Sequence, residues 1–186
     1  MSLYPAFLKL RGRPVLIVGG GKVAASKLRG LLDAEALVTV VAPEIAAELH
    51  RPFVRLLKRP FEPADLDGCW FVVSAAPPEV NREVAAAARP HRIFVNAVDD
   101  TDAASAYLGA VVRRGEAVVA ISTGGRAPAL AGLLREALEW LLPDSLGDWV
   151  TMAERLRELW RAQGVPIEQR RPLLLRALEQ RYGETV

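Results

Sequence analysis

VLIVGGGKVAASKLRGLL, residues 15–32, is the stretch that decides the reading of this chain. Val15 to Val18 form an apolar strand that runs into Gly19, Gly21 and Ala24, and Leu28, Leu31 and Leu32 then recur at helical spacing. A strand, a Gly-x-Gly-x-x-Ala turn and a helix, in that order, make the turn that receives a dinucleotide. The first glycine permits the tight turn, the second lets a pyrophosphate approach the backbone, and Ala24 allows the helix to pack closely on the strand. The helix N-terminus adds amide donors and a partial positive charge. A tight turn that binds nothing would carry the same glycines, and it is the flanking strand and helix that favour the nucleotide.

The chain has 186 residues, enough for a substantial core, and the size fits one domain or a domain with a helical appendage. Hydrophobic residues make up 51% and charged residues 25%, with a net charge of +2, so a soluble globular protein is expected. Such a balance carries no nucleic-acid footprint. The single cysteine, Cys69, lies in the apolar run CWFVVSA and has no partner for an internal disulfide; it reads as a small core residue and fits a reducing compartment. The start, MSLYPAFLKLRGR, lacks the apolar segment of a secretory signal, and no apolar run approaches the roughly 18 residues of a membrane span. A cytoplasmic protein with no membrane attachment is expected.

Outward from the glycine turn, β-branched runs alternate with helical patterns. Strands are predicted near 13–18, 37–42, 53–57, 69–75 and 92–98, and helices over 22–34 and 79–89. That alternation predicts a Rossmann-like α/β fold, a doubly wound parallel sheet covered on both faces. After residue 100 the pattern changes. AYLGAVV and EAVVAIS, separated by Arg113, Arg114 and Gly115, predict an antiparallel hairpin. Helices follow from Pro128, where Leu130, Leu133, Leu134, Ala137, Leu138 and Leu141 form one stripe, then near 145–162 and 167–182. The expected organisation is a dinucleotide-binding domain at 1–112, a dimerisation region at 113–145 and a small helical C-terminal domain at 146–186. Self-association is expected because a lone hairpin is marginal and needs another surface.

Dinucleotide folds usually place an acid about 20 residues past the glycines to hold the ribose hydroxyls. Here the second strand ends Val41, Ala42, Pro43, Glu44, so that contact falls to Glu44 or to backbone around Pro43. No arginine occupies the place, which argues for NAD over NADP. Glu44 can equally be an ordinary helix N-terminal acid, and Lys22 can face phosphate or solvent. Two further clusters carry chemical content. Asn96 to Asp100 lie at the carboxyl end of the fifth strand, where parallel sheets place ligands and where a carboxylate faces the nicotinamide end. STGGRAP, residues 122–128, opens a helix and offers amides, two hydroxyls and Arg126 to carboxylates or phosphates, unless it only caps the helix.

With YPAFLKLRGRPVLIVGGGKVAASKLRGLL, VVAP, FVNAVDD and ISTGGRAPALAGLLREALE, the chain resembles the precorrin-2 dehydrogenase family, the amino-terminal module of siroheme synthase. The resemblance implies NAD-dependent oxidation of precorrin-2 to sirohydrochlorin and, in some members, ferrous iron insertion by a sirohydrochlorin ferrochelatase activity. It implies a homodimer that forms the tetrapyrrole cleft between subunits. It puts NAD contacts on Gly19, Gly21, Lys22, Val23, Ala24, Pro43 and Glu44, and the catalytic aspartate on Asp99, which would accept a proton as general base while hydride leaves the macrocycle. Precorrin-2 is rich in carboxylates, so Ser122, Thr123, Gly124, Gly125 and Arg126 are the expected substrate contacts, with Arg113 or Arg114 as further anchors.

The chain also departs from that family. Ala75, Ala76, Pro77 and Pro78 stand where many members have Thr-Asp-Asp or Thr-Asn-Asp, Ala127 replaces a serine, and Ala106 and Gly109 replace the usual Phe and Pro. No methyltransferase activity is expected from a chain of this extent. His50 and His91 are the only histidines and form no metal-ligand spacing, so no metal site is expected and chelatase activity is the weakest inheritance; His91 reads as a surface loop residue. The competing reading is a non-catalytic NAD-binding regulatory domain, which needs the glycine turn but not Asp99.

Overall fold

The computed structural model describes residues 3–183, which divide into two compact units, one ending at Leu108 and one starting at Gly109. The first unit runs β1 (Pro14–Val18), α1 (Lys22–Asp33), β2 (Leu37–Val41), a 3-10 turn (Ala47–Leu49), β3 (Arg55–Leu57), a second 3-10 turn (Pro63–Leu66), β4 (Phe71–Ser74), α2 (Pro78–Ala88) and β5 (Phe94–Ala97). The strands form one all-parallel sheet in the order β3-β2-β1-β4-β5. The order reverses between β1 and β4, the place where open α/β sheets hold ligands.

Alternate residues of each strand serve opposite faces, which is why the runs are apolar throughout. Val15 and Ile17 join Val38, Val40, Phe71 and Val73 under Ala24, Leu28 and Leu31 of α1, while Leu16, Val18, Val72 and Val95 join Val84 and Ala88 of α2. Leu28 and Leu31 are almost wholly withdrawn from water, each contributing about 1.5–3 kcal/mol. The third strand starts later than its apolar run predicts. Phe53 has a left-handed backbone (φ 65°) in a turn closed by Val54 N–H to the Arg51 carbonyl, so pairing begins only at Arg55.

The second unit comprises β6 (Ala110–Arg114), β7 (Ala117–Ile121), α3 (Pro128–Leu141), α4 (Leu146–Ala162) and α5 (Ile167–Tyr182). Strands β6 and β7 are antiparallel, with Arg114 opposite Ala117. The turn is therefore Gly115–Glu116, and Arg113 and Arg114, predicted to separate the strands, belong to β6. Gly115 (φ 56°) supplies the positive φ that a two-residue hairpin turn requires at its first position. Arg114 stays in the strand because its guanidinium has partners within the unit: it donates to the Glu139 carbonyl at 2.7 Å and pairs with Asp144 at 3.2 Å. Among the described residues no helix is long and apolar enough to cross a membrane.

Two tests follow from packing in the first unit. A Cβ on Gly20 would lie 1.8 Å from the Glu44 carbonyl oxygen, so Gly20→Ala should lower stability by about 1–3 kcal/mol, read as a fall in the thermal midpoint. Separately, the Arg59 guanidinium donates to Asp65 at 2.8 Å and holds that carboxyl below the usual aspartate range against the opposing effect of burial. A depressed folded pKa stabilises above the unfolded value, about 3.9, and the gain is lost as pH falls through the folded one. Arg59→Gln should therefore lower the urea midpoint at neutral pH, and the gap from the parent should close on acidification below about pH 3.9.

Candidate functional site

The three glycines of the turn differ in what demands them. Gly19 has φ 119°, and a Cβ there would sit 2.2 Å from the Ala75 carbonyl oxygen. Gly20 is pressed by the Glu44 carbonyl and accepts a hydrogen bond from Ala46 N–H at 2.8 Å. Both are required by the protein itself. Gly21, by contrast, is extended (φ −92°, ψ −172°), and a Cβ built on it meets nothing within 4 Å. Neither conformation nor packing asks for glycine there. The open space above its backbone, beside the first-turn N–H groups of Lys22, Val23 and Ala24 that have no intrahelical acceptor, fits a phosphate-bearing ligand. Ala24 is fully buried against the sheet, as close helix packing requires, whereas Lys22 and Val23 are exposed. Pro43 and Glu44 follow β2 as exposed bend residues, with the Glu44 backbone turned onto Gly20.

At the switch point, Val23, Ala75, Ala76, Pro78, Asn81, Val98, Asp99 and Asp100 line a cleft of about 270 Å³. This joins a residue of the glycine turn to the carboxylates after β5. Ala75, Ala76 and Pro78 give the cleft backbone and small apolar surface. The adjacent aspartates, inseparable by pattern, do different things. Asp100 accepts the Ala103 N–H at 3.0 Å and closes the following turn. Asp99 is exposed, has a left-handed backbone (φ 58°), and its carboxylate has no hydrogen bond or ion pair among the described residues. Asp and Asn tolerate that conformation better than other non-glycine residues.

Sequence reasoning singled out Asn96 but missed Ser74 and Asn81 behind this wall. Ser74, Asn81 and Asn96 are the buried polar side chains among the described residues. Asn81 accepts from Ser74 Oγ at 2.6 Å and from Ala76 N–H at 3.2 Å, and donates to the Val98 carbonyl at 3.3 Å. Asn96 donates to the Ala106 carbonyl at 3.0 Å. The signal was present: Asn81, Val84 and Ala88 share the buried stripe of α2, and an amide on an apolar stripe must be satisfied internally. A larger groove of about 430 Å³ runs beside α1, lined in part by Lys22, Ser26, Arg29, Glu48 and Arg51, but it contains no group from the ends of β4 or β5.

In the second unit, Gly124 (φ 64°) and Gly125 (φ 74°) curl the loop before α3. Ser122 Oγ accepts the Gly124 N–H at 3.2 Å, and Thr123 Oγ1 accepts the Ala127 N–H at 3.3 Å. The loop thus uses both hydroxyls as internal acceptors and leaves Arg126 exposed, without an ion pair among the described residues. Arg113 is exposed, and Arg114 is tied as described above. His50 and His91 are exposed, and among the described residues no group of three or more His, Cys, Asp or Glu could hold a metal ion. Cys69 is half-buried, and burial, with Asp65 and Asp67 adding to it, pushes its thiol up and away from reactivity.

A family model described as "Putative NAD(P)-binding" matches residues 6–110. Siroheme synthase 3 of Aeromonas hydrophila is 45% identical over 176 residues, covering 92% of this chain and 38% of the relative. The siroheme synthase of Photorhabdus laumondii is 39% identical over 191 residues, covering all of this chain and 41% of the relative. This chain therefore spans about two fifths of the length of these curated relatives. Among solved structures, "SirC, precorrin-2 dehydrogenase" superposes with a TM-score of 0.74 at 26% identity, covering 99% of this chain and 94% of that one. The glycine turn and sheet order define a dinucleotide-binding α/β protein. The chain belongs to the NAD(P)-binding family of that model.

Gly21→Ala should leave the thermal midpoint within about 1 °C of the parent while weakening NAD binding about tenfold, because the added methyl meets only the ligand's space; one order of magnitude is about 1.4 kcal/mol. Equal binding by both proteins in a fluorescence titration would remove the pyrophosphate from Gly21.

Proposed function

We propose that this chain catalyses NAD-dependent dehydrogenation of precorrin-2 to sirohydrochlorin. The observation that carries the reading is the cleft at the switch point, in which Val23 of the glycine turn and the unpartnered Asp99 carboxylate are wall-mates. Its support from outside the chain is the likeness to siroheme synthases and to a precorrin-2 dehydrogenase. Gly21, Lys22, Val23 and Ala24 would hold the pyrophosphate through backbone amides, and Pro43 and Glu44 the adenosine ribose. With no arginine directly after β2, the ribose side suits NAD. When bound, the nicotinamide supplies the hydride acceptor.

The chain's own part is to hold the substrate and move a proton. Asp99 accepts the proton that leaves the macrocycle as the carbon–hydrogen bond is oxidised. A carboxylate without an internal partner is available for that role, whereas Asp100 is spent on its turn. Substrate carboxylates would be met by Arg126 and by amides of the Ser122–Arg126 loop, with the Ser122 and Thr123 hydroxyls shaping it. Anaerobic precorrin-2 with NAD should yield NADH absorbance and the sirohydrochlorin spectrum. Asp99→Asn keeps a side chain that tolerates the left-handed backbone, so it should bind NAD normally and lose at least 100-fold in kcat. NAD binding by the parent with no tetrapyrrole turnover would instead favour a regulatory domain.

The reading includes self-association through residues 113–145. Among the described residues of the second unit only Val112 and Ala131 are buried, while Leu133, Trp140 and Leu141 of α3 are 62%, 88% and 67% exposed. An apolar stripe left this open is what a second copy would cover. Leu133→Glu should convert a dimer to monomer in sedimentation velocity; an unchanged sedimentation coefficient would remove α3 from the interface.

A further inference from the structure

We propose that Asn81 is a positioning residue that sets the Asp99 carboxylate against the dinucleotide turn; this rests on Asp99 being the reacting group. Asn81 is 2% exposed and reaches three backbone or side-chain groups from two different strand ends. Its amide orientation is fixed by chemistry. Ala76 N–H can only donate and the Val98 carbonyl can only accept, so Oδ1 faces Ala76 and Nδ2 faces Val98. Ser74 Oγ then donates to the same Oδ1.

Two of these bonds end one residue from a part of the site. Through Oδ1, Asn81 holds the Ala76 amide, whose neighbour Ala75 lays its carbonyl over Gly19 and donates its own N–H to the Val18 carbonyl at 2.8 Å. Through Nδ2 it holds the carbonyl of Val98, the residue before Asp99 with its left-handed backbone. One buried side chain therefore spans the end of β4, which abuts the glycine turn, and the end of β5, which carries the carboxylate. Val98 N–H to the Ser74 carbonyl, at 2.8 Å, continues the sheet pairing up to this point, and beyond it Asn81 takes over. Small displacements of a reacting group cost rate far more than stability, on the order of 100-fold per ångström.

Asn81→Asp separates the two functions of the amide. The carboxylate still accepts from Ser74 and Ala76 but has no donor for Val98. It should bind NAD within about threefold of the parent, with kcat for precorrin-2 oxidation about 10- to 100-fold lower and KM changed less than kcat. Protonation of the buried carboxyl restores a donor, so the ratio of variant to parent kcat should rise as pH falls. Asp99 and Asp100 are the charged groups lining the same cleft and are common to both proteins, and the Asn81→Ser variant below carries no charge to couple to them. Ser74→Ala, which leaves the Val98 bond intact, should retain kcat within about threefold.

Unchanged kcat in Asn81→Asp overturns the inference, as does a kcat loss in Ser74→Ala equal to that of Asn81→Asp, which would mean general loosening. Should Asn81→Asp not fold, Asn81→Ser serves in its place: its hydroxyl can accept from Ala76 but is too short to hold Val98, and the same kcat loss with retained NAD binding is expected. Wild-type turnover in Asp99→Asn would strike at the functional reading itself, independently of these variants.

Discussion

The close approach of two carbonyls to two glycines organises the first unit. The Ala75 oxygen lies against the α-carbon of Gly19 and the Glu44 oxygen against that of Gly20, at distances that leave no room for a β-carbon. The loops after β4 and β2 are thereby clamped onto the turn after β1. The clamp brings three strand ends within reach of one ligand, and the turn cannot drift because its neighbours occupy the space a side chain would take. Gly21, just beyond, is relieved of both demands, and its backbone is the part left for something other than protein.

Burial on both faces of the sheet makes this clamp rigid. Residues of β1 alternate between the α1 face and the α2 face with almost no exposed surface, so a shift of one residue in register would exchange the two layers wholesale. The strand ends are then fixed points from which loops can aim side chains. Polar groups behind the cleft complete the support: Asn81 bridges the ends of β4 and β5, and Asn96 ties β5 to the segment near Ala106. The second unit follows another principle. Its described residues bury little beyond Val112 and Ala131, and Leu133, Trp140 and Leu141 of α3 stand in water.

Much of this was legible in residue order. Runs such as LVTVV read as strands and GGGKVAASKL as a turn into a helix, because glycine placement and apolar spacing are local properties. Where local spacing misled, a tertiary partner explains it. Arg113 and Arg114 looked like turn residues, yet Arg114 stays in β6 because Glu139 and Asp144, far along the chain, receive its guanidinium. Phe53 looked like strand, yet its left-handed backbone delays pairing until Arg55.

By itself, residue order determined the parallel α/β class, the dinucleotide turn and the short list of polar residues at strand ends. The family resemblance singled out Asp99, but residue order could not show what occupies Asp100, nor why three successive glycines differ, nor give Asn81 a task. Those distinctions depend on which atoms meet across the fold: the Ala103 amide takes up Asp100, the carbonyls of Ala75 and Glu44 account for Gly19 and Gly20, and Val98 answers Asn81. Spacing along a chain encodes the elements because their hydrogen bonds and faces are periodic. The use of a single carboxylate or amide is decided by contacts between elements, which have no period to read.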